Sequence, residues 1–509
     1  MGNPFFRTLS EVSSLKTGVL VIGSGGAGLT AAVAAAKSGA DVCLVSKTQI
    51  GLNTATAYSG GIFSYAGGGV TPEEHYTVTM KAGCSVNDPV LLKTLTEEAA
   101  ASLDELHSWG VDIRFPRPGK ASVRHTAKYA LMAGAGFVEQ LAAVAREQYV
   151  KMVEFSVATK LLRNNTGVYG ARLVNWKTGK SLDLFADAVI LATGGAGQIF
   201  ARTDNPARLT GDGYALAHCV GAELRDMEFI QFYPLGWDDP ALPVWMGDLG
   251  LIDFLPLTDA DGNEFLLQKL HEWGFKSGSE GNLYARDRSA VALAQAARDG
   301  GAFVHFEKAS PELWQDKRFL RTLVVDPARF QGLNRPVRVS PLEHYFCGGV
   351  TIDTYGHTSV PGLYACGEVT GGVDGANRVG GNALANIVTF GLRAGKTAAQ
   401  ETQRASGLHE NSAPSPTFSA EGNSPVQLRR ALQNKMWETL GPIRTAKGLN
   451  EALTFLAEFI NNPIRASSST ELLAALEMPG LICTARESAQ AALARTHSLG
   501  VHFRADDNN

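Results

Sequence analysis

Apolar residues gather in short unbroken runs that empty into glycine. Val19-Leu20-Val21-Ile22 is apolar throughout, Leu29 to Lys37 is alanine-rich, and the stretch from Asp41 to Ser46 turns apolar again. That order predicts strand, glycine turn, helix and strand, one βαβ unit over Gly18 to Lys47. Two more runs behave alike: Ala188 to Ala192 leads into Thr193-Gly194-Gly195, and Gly362 to Cys366 leads into Gly367-Glu368. All three finish in glycine at their carboxyl ends, where open α/β sheets bind ligands. Between Pro234 and Arg338 the βαβ rhythm gives way to mixed, aromatic-rich sequence, which predicts an inserted domain able to close over a ligand. A polar Pro/Ser stretch from Ser406 to Val426 reads as a linker. Helical spacing follows in Leu428 to Leu440, Gly448 to Phe459, Thr470 to Leu476 and Thr484 to His497. The expected layout is therefore an α/β domain in two parts, 1–233 and 339–405, an insertion over 234–338, a linker over 406–426 and a helical domain over 427–509. No repeat at solenoid periods interrupts it.

Composition narrows the classes. At 509 residues the chain exceeds what one hydrophobic core usually serves, and 45% hydrophobic with 19% charged residues excludes general disorder. A formal charge of -4 and the lack of any Lys/Arg block argue against nucleic acid as a partner. Six scattered cysteines with no CxxC pair give no metal-ligand spacing and fit a reducing compartment. No apolar run reaches spanning length and no signal-peptide pattern is seen, so a cytoplasmic protein is expected, with docking on a membrane-bound partner left open.

Gly23-Ser24-Gly25-Gly26-Ala27-Gly28 is G-x-G-x-x-G set between a strand and a helix. Its glycines permit the tight turn and let a pyrophosphate approach the helix N-terminus. Where a ribose-binding acid often stands, this chain has Ser46-Lys47. The motif alone leaves FAD and NAD(P) both open.

More distant elements choose between them. Thr54 to Gly61, Ala192-Thr193-Gly194-Gly195, Thr210-Gly211-Asp212-Gly213 and the run from Gly367-Glu368 to Asn386, with Gly375-Ala376-Asn377-Arg378 and Gly381-Asn382-Ala383-Leu384 inside it, together resemble the flavoprotein family of fumarate reductase, succinate dehydrogenase and L-aspartate oxidase. Ala494 to His502 is similar to that family's Ala-Arg-x-x-Ser-Arg-Gly-x-His stretch, so the likeness spans the chain. The resemblance implies an α/β, two-dinucleotide-binding-type (Rossmann-like) FAD domain with a mixed α+β capping insertion and a C-terminal helical domain. It assigns the cofactor to Gly23, Ser24, Gly25, Gly26, Ala27, Gly28, Ser46, Lys47, Thr54, Gly60, Gly61, Thr193, Gly194, Asp212, Glu368, Arg378, Ala383 and Leu384. Thr54 stands where covalently flavinylated members carry a histidine, so FAD is expected without a covalent bond.

The same resemblance names the reacting groups. Arg286, in Tyr284-Ala285-Arg286-Asp287-Arg288, matches the family's proton-transferring arginine; the bland alternative is an ion pair with Asp287. His344 and Arg378 match the pair that grips a substrate carboxylate, an arrangement chemistry favours because a guanidinium pairs bidentately with a carboxylate. The other half of the family site is altered. Tyr233 replaces the histidine of Gln-Phe-His-Pro, Asp248 stands for the relay glutamate, and Leu251 falls where the relay arginine is expected. With Trp237, Trp245 and Phe254 nearby, a second carboxylate there would be poorly paired, although each aromatic taken singly is better explained as core of the insertion. The expectation is hydride transfer between flavin N5 and the C=C or CH–CH bond next to a carboxylate, in an enoate reductase with a non-fumarate, monocarboxylate substrate. The alternatives are an L-aspartate-oxidase-like amino acid oxidase, a flavoprotein subunit of a fumarate reductase or succinate dehydrogenase complex, and an electron-transfer or assembly component without turnover. Nothing in the chain ligates iron–sulfur or haem, so electrons are expected from elsewhere, an iron–sulfur protein among the candidates.

Overall fold

A computed structural model describes residues 13–124, 132–402 and 421–507. Residues 406–420 of the Pro/Ser segment lie outside these. Its centre is a seven-stranded sheet. The first strand, Ser13–Ile22, lies between Val42–Val45 and Ser181–Leu191, parallel to both, with Val21 opposite Leu44 on one side and Ile190 on the other. Leu363–Ala365 and Lys151–Val153 add parallel strands to Ser181–Leu191 and Val42–Val45. Gly167–Asn175 and Ser156–Asn164 continue the sheet antiparallel. Val19, Leu20, Val21 and Ile22 are all buried, as strands covered on both faces must be. The three runs that end in glycine are thus neighbouring parallel strands, and their carboxyl ends open on one side.

Two helices cover the sheet where the turn emerges. Gly26–Lys37 packs along the 21-residue helix Asn382–Thr402. Their backbones can approach because Gly395 has no side chain: a Cβ there would collide with the Ala31 carbonyl.

The inserted segment builds a second, four-stranded antiparallel sheet in the order Ile230–Trp237, Pro336–Phe346, Ala302–His305, Leu257–Asp259. It has its own apolar cluster, including Leu235, Leu249, Leu251, Phe319, Phe330 and Val339. Two aromatic residues placed near the site by sequence belong to this cluster instead. Trp237 is 1% exposed and packs edge-on against Phe330 at 4.9 Å, and Phe254 packs on Phe319 at 5.9 Å. Their apolar surface is consumed by folding, which is the ordinary fate of large aromatics in a small unit.

Three helices close the chain: Pro425–Leu440, Ala446–Phe459 and Ser469–Ala494. The last corrects the expectation of two separate helices, since it runs for 26 residues straight through Pro479. Proline forfeits one backbone hydrogen bond there, but Leu476, Met478 and Leu481 around it are all buried, and their packing carries the helix across.

Candidate active site

A cavity of about 570 Å³ starts at the glycine turn and runs beneath the inserted segment. Of the residues assigned from sequence, all but Gly28 line it: Gly23 to Ala27, Ser46, Lys47, Thr54, Gly60, Gly61, Thr193, Gly194, Asp212, Tyr233, Asp248, Arg286, His344, Glu368, Arg378, Ala383 and Leu384. Gly28 faces away, and a Cβ there would overlap the Gly23 carbonyl, so its lack of a side chain lets the helix seat on the turn.

The turn end suits a dinucleotide pyrophosphate. Gly23 has φ +114, and Gly25 caps Gly26–Lys37; Gly26 N donates to Thr56 Oγ1 at 3.1 Å, while no side chain among the described residues takes the N–H groups of Ala27 and Gly28 at the N-terminus of this 12-residue helix, where an anion can be held. At the next position the second strand carries no acid. Ser46 Oγ accepts from Ser24 Oγ at 2.8 Å, and the Lys47 ammonium turns away to pair with Asp212 and with Glu477 Oε1 at 3.2 Å. Two residues assigned to cofactor binding, Lys47 and Asp212, therefore neutralise each other. Thr54 caps the short helix Ala55–Tyr58 by accepting from Ala57 N at 3.2 Å. Glu368 lies buried beside the glycine turn at 194–195. Burial pushes its carboxyl up to about 7, against a hydrogen bond from Phe346 N and the attraction of Arg378.

Under the insertion the cations converge. Arg378 is buried, its guanidinium carbon 4.2 Å over the Tyr345 ring and its Nη2 donating to Gln231 Oε1 at 3.1 Å. His344 Nδ1 lies 2.8 Å from Asp204 Oδ2, and its ring meets Tyr233 edge-on at 5.6 Å. That Asp204 bond fixes which ring nitrogen faces the cavity. Arg286 opens the helix Arg286–Arg298 and makes no ion pair with Asp287. Its Nε donates to the Asn282 carbonyl at 2.6 Å and to Asn282 Oδ1 at 3.1 Å, with its guanidinium 5.1 Å over Tyr233. Burial lowers the Arg286 pKa. The Tyr233 hydroxyl donates to Asn282 Oδ1 at 2.8 Å, and burial raises its pKa. Asp248 Oδ2 accepts from Asn282 Nδ2 at 2.9 Å, and burial raises its carboxyl as well.

Sequence reasoning missed Asp204, Asn282, Tyr58 and Lys120, all on the cavity wall. Tyr58 pairs with Trp245 at 5.8 Å, forming an aromatic side to the chamber. Lys120 enters from a hairpin, Ile113–Arg117 with Lys120–Val123, whose second strand pairs with Ile62–Ser64 and sets Lys120 opposite Ser64. Its ammonium donates to Ser64 Oγ and to the Gly380 carbonyl, each at 2.7 Å. Among the described residues, Arg286, Arg378 and Lys120 have only neutral hydrogen-bond partners. Three cations whose hydrogen bonds all go to neutral groups thus line one cavity, a lining that suits an anion.

A dinucleotide turn at the carboxyl ends of parallel strands and a cationic chamber beneath the insertion fit a flavin-dependent oxidoreductase, and comparison with known proteins establishes that class. The family profile described as FAD binding domain matches residues 18–384, and that described as fumarate reductase flavoprotein C-term matches 429–509. The chain is 30% identical to the fumarate reductase flavoprotein subunit of Mycobacterium tuberculosis, over 96% of this chain and 92% of that protein. It is 32% identical to the L-aspartate oxidase of Streptomyces coelicolor, over 96% of this chain and 88% of that one. A solved structure of Mycobacterium smegmatis Sdh1 in complex with UQ1 superposes with a TM-score of 0.83 at 26% identity, covering 97% of this chain and 90% of the other. The chain belongs to the fumarate reductase/succinate dehydrogenase flavoprotein family, and it is an FAD-dependent oxidoreductase. No helix among the described residues is long and apolar enough to cross a membrane.

Proposed function

We propose that this enzyme reduces the C=C bond of an α,β-unsaturated monocarboxylate, with FAD held without a covalent bond. The observation that carries the reading is the set of three cations with neutral partners, gathered around a cavity that begins at the dinucleotide turn. The glycine turn, Thr193, Gly194, Glu368 and the Gly381–Leu384 segment would hold FAD, which would supply the hydride for one alkene carbon. Arg378 and His344 bind the substrate carboxylate, hold the alkene in register and draw electron density toward the acid group as negative charge develops. Arg286 gives its proton to the other alkene carbon, and the depression of its pKa by burial favours that transfer.

Tyr58, Trp245, Met246 and Leu283 also line the chamber. Tyr233 spends its hydroxyl on Asn282, and Leu251 lies in the core of the insertion. A neutral substituent suits that wall better than a second carboxylate. The Thr54 hydroxyl, occupied as a helix cap, supports a flavin held by contacts alone. Electrons reach it from a separate protein, an iron–sulfur carrier, in the cytoplasm. Reduced enzyme mixed with cinnamate, crotonate and fumarate tests the substrate class. Faster flavin reoxidation by either monocarboxylate is expected, and a clear preference for fumarate would refute it.

A further inference from the structure

The proton that Arg286 gives up has to be replaced, and the structure closes the route that the altered relay residues would have served. Between Arg286 and Asp248 stands the Asn282 side chain, which accepts from Arg286 Nε at 3.1 Å and donates to Asp248 Oδ2 at 2.9 Å. An amide of this kind neither releases nor captures a proton near neutral pH. Beyond Asp248, Leu251 is fully buried in the apolar cluster of the insertion.

On the other side of Arg286 lies Lys120. Both side chains flank the Gly380 peptide: Lys120 Nζ donates to its carbonyl at 2.7 Å, and a Cβ built on Gly380 would lie 3.7 Å from Arg286 Nη2. An ammonium has three hydrogens. Ser64 Oγ and Gly380 O take two, and the third has no acceptor among the described residues while the side chain lines the cavity. We propose that Lys120 resupplies the proton that Arg286 delivers to the substrate, an inference that rests on the enoate reading above.

In this step one N–H bond of the Lys120 ammonium breaks and one forms on Arg286, directly or through one water molecule. The lone pair left on Lys120 then takes a proton from solvent. No electrons change hands, because hydride comes from flavin reduced by an external carrier. A neutral guanidine is far more basic than a lysine amine, so the transfer runs downhill. The charged and titratable groups facing Lys120 are Arg117 on its own hairpin, Arg286, Arg378 and His75 of the helix Pro72–Ala82. Burial, aided by the three arginines, brings Lys120 down to about 8, so it can exchange protons with water during turnover.

The experiment uses the flavin-loaded enzyme with cinnamate as the probe and dithionite-reduced methyl viologen as electron donor. Turnover by the wild type is expected to fall tenfold per pH unit above about 8, because only the ammonium form can supply the proton. Lys120→Arg keeps the charge and cannot titrate there. It is expected to be at least tenfold slower at pH 7 and to lack that limb, while cinnamate affinity, read from the shift of the oxidised flavin spectrum, stays within threefold. Independently of turnover, acetic anhydride labelling of Lys120, followed by mass spectrometry, should show a midpoint near 8. A Lys120→Arg enzyme with the wild-type rate or limb would overturn the inference. So would a loss of affinity that accounts for the whole loss of rate, or a labelling midpoint near that of surface lysines. If no acid reoxidises the wild-type flavin, the substrate reading falls and takes this role with it; if the wild type turns over and the variant matches it, only the role of Lys120 falls.

Discussion

Arg378 is held by its flat face on Tyr345 and by one edge on Gln231, leaving its Nε buried without an acceptor. Such a side chain is ready for a planar anion, and a flexible ammonium cannot imitate it. Arg378→Lys should therefore keep bound flavin near one per chain while kcat/KM for the enoic acid falls by about 100-fold, roughly 3 kcal/mol, the scale of a charge-assisted bidentate pair. Steady-state kinetics with the flavin absorbance measured in parallel checks this. Three of the positions expected from sequence to react with or grip the substrate, at 286, 344 and 378, sit in short word-like motifs, and the structure brings them to one cavity. Lys120 and Asp204 carry no such wording. Lys120 matters only because strand register sets it opposite Ser64, and Asp204 because it meets a histidine 140 positions away. Contacts of that range are products of topology, so no local pattern announces them.

Among the elements, the helix Ser469–Ala494 does more than end the chain. Its Glu477 is fully buried and accepts from Lys47 at 3.2 Å, Arg208 at 3.0 Å and Arg429 at 3.2 Å. Lys47 in turn pairs with Asp212 on the cavity wall, so the C-terminal helix is tied to the dinucleotide end of the site through charge. Glu477→Ala would leave three cations facing one another without their shared acid. A loss on the order of 3–5 kcal/mol follows for breaking a buried pair, with weaker retention of flavin as its companion. Thermal unfolding with and without added FAD reads both. Strand and helix types were legible wherever period and turn chemistry agreed, as in Val19 to Ile22 and Ala446–Phe459. The second sheet was not, because Ile230–Trp237 is buried on both sides and Pro336–Phe346 alternates only over its first four residues, and the two meet across a hundred residues, too far for any local pattern to pair them.

For the molecule as a whole, two buried groups with opposite proton demands shape how stability responds to pH. His502 is wrapped by arginines: Arg444 Nη1 donates to its Nδ1 at 2.7 Å, and its Nε2 bonds the Arg495 carbonyl at 3.1 Å. Burial, then the charge of Arg444, drives its pKa from 6.5 down to about 3. Between those values the unfolded chain binds a proton that the folded chain refuses, so this group destabilises the fold as pH falls from 6.5 toward 3. Glu368 works the other way. Its pKa rises from 4.5 to about 7, so over that window the folded chain holds a proton the unfolded chain has released, and the group destabilises the fold as pH rises. Where the windows overlap, from 4.5 to 6.5, the two slopes cancel. The unfolding free energy of the flavin-free Glu368→Gln protein, less that of the wild type, should rise by about 1.4 kcal/mol per pH unit across the Glu368 window and stay level outside it. For His502→Asn the same difference should fall with pH at a like rate from about 3 to 6.5. Urea titrations at half-unit pH steps supply both differences. Parallel curves for variant and wild type would show that the group in question titrates alike in the folded and unfolded chains.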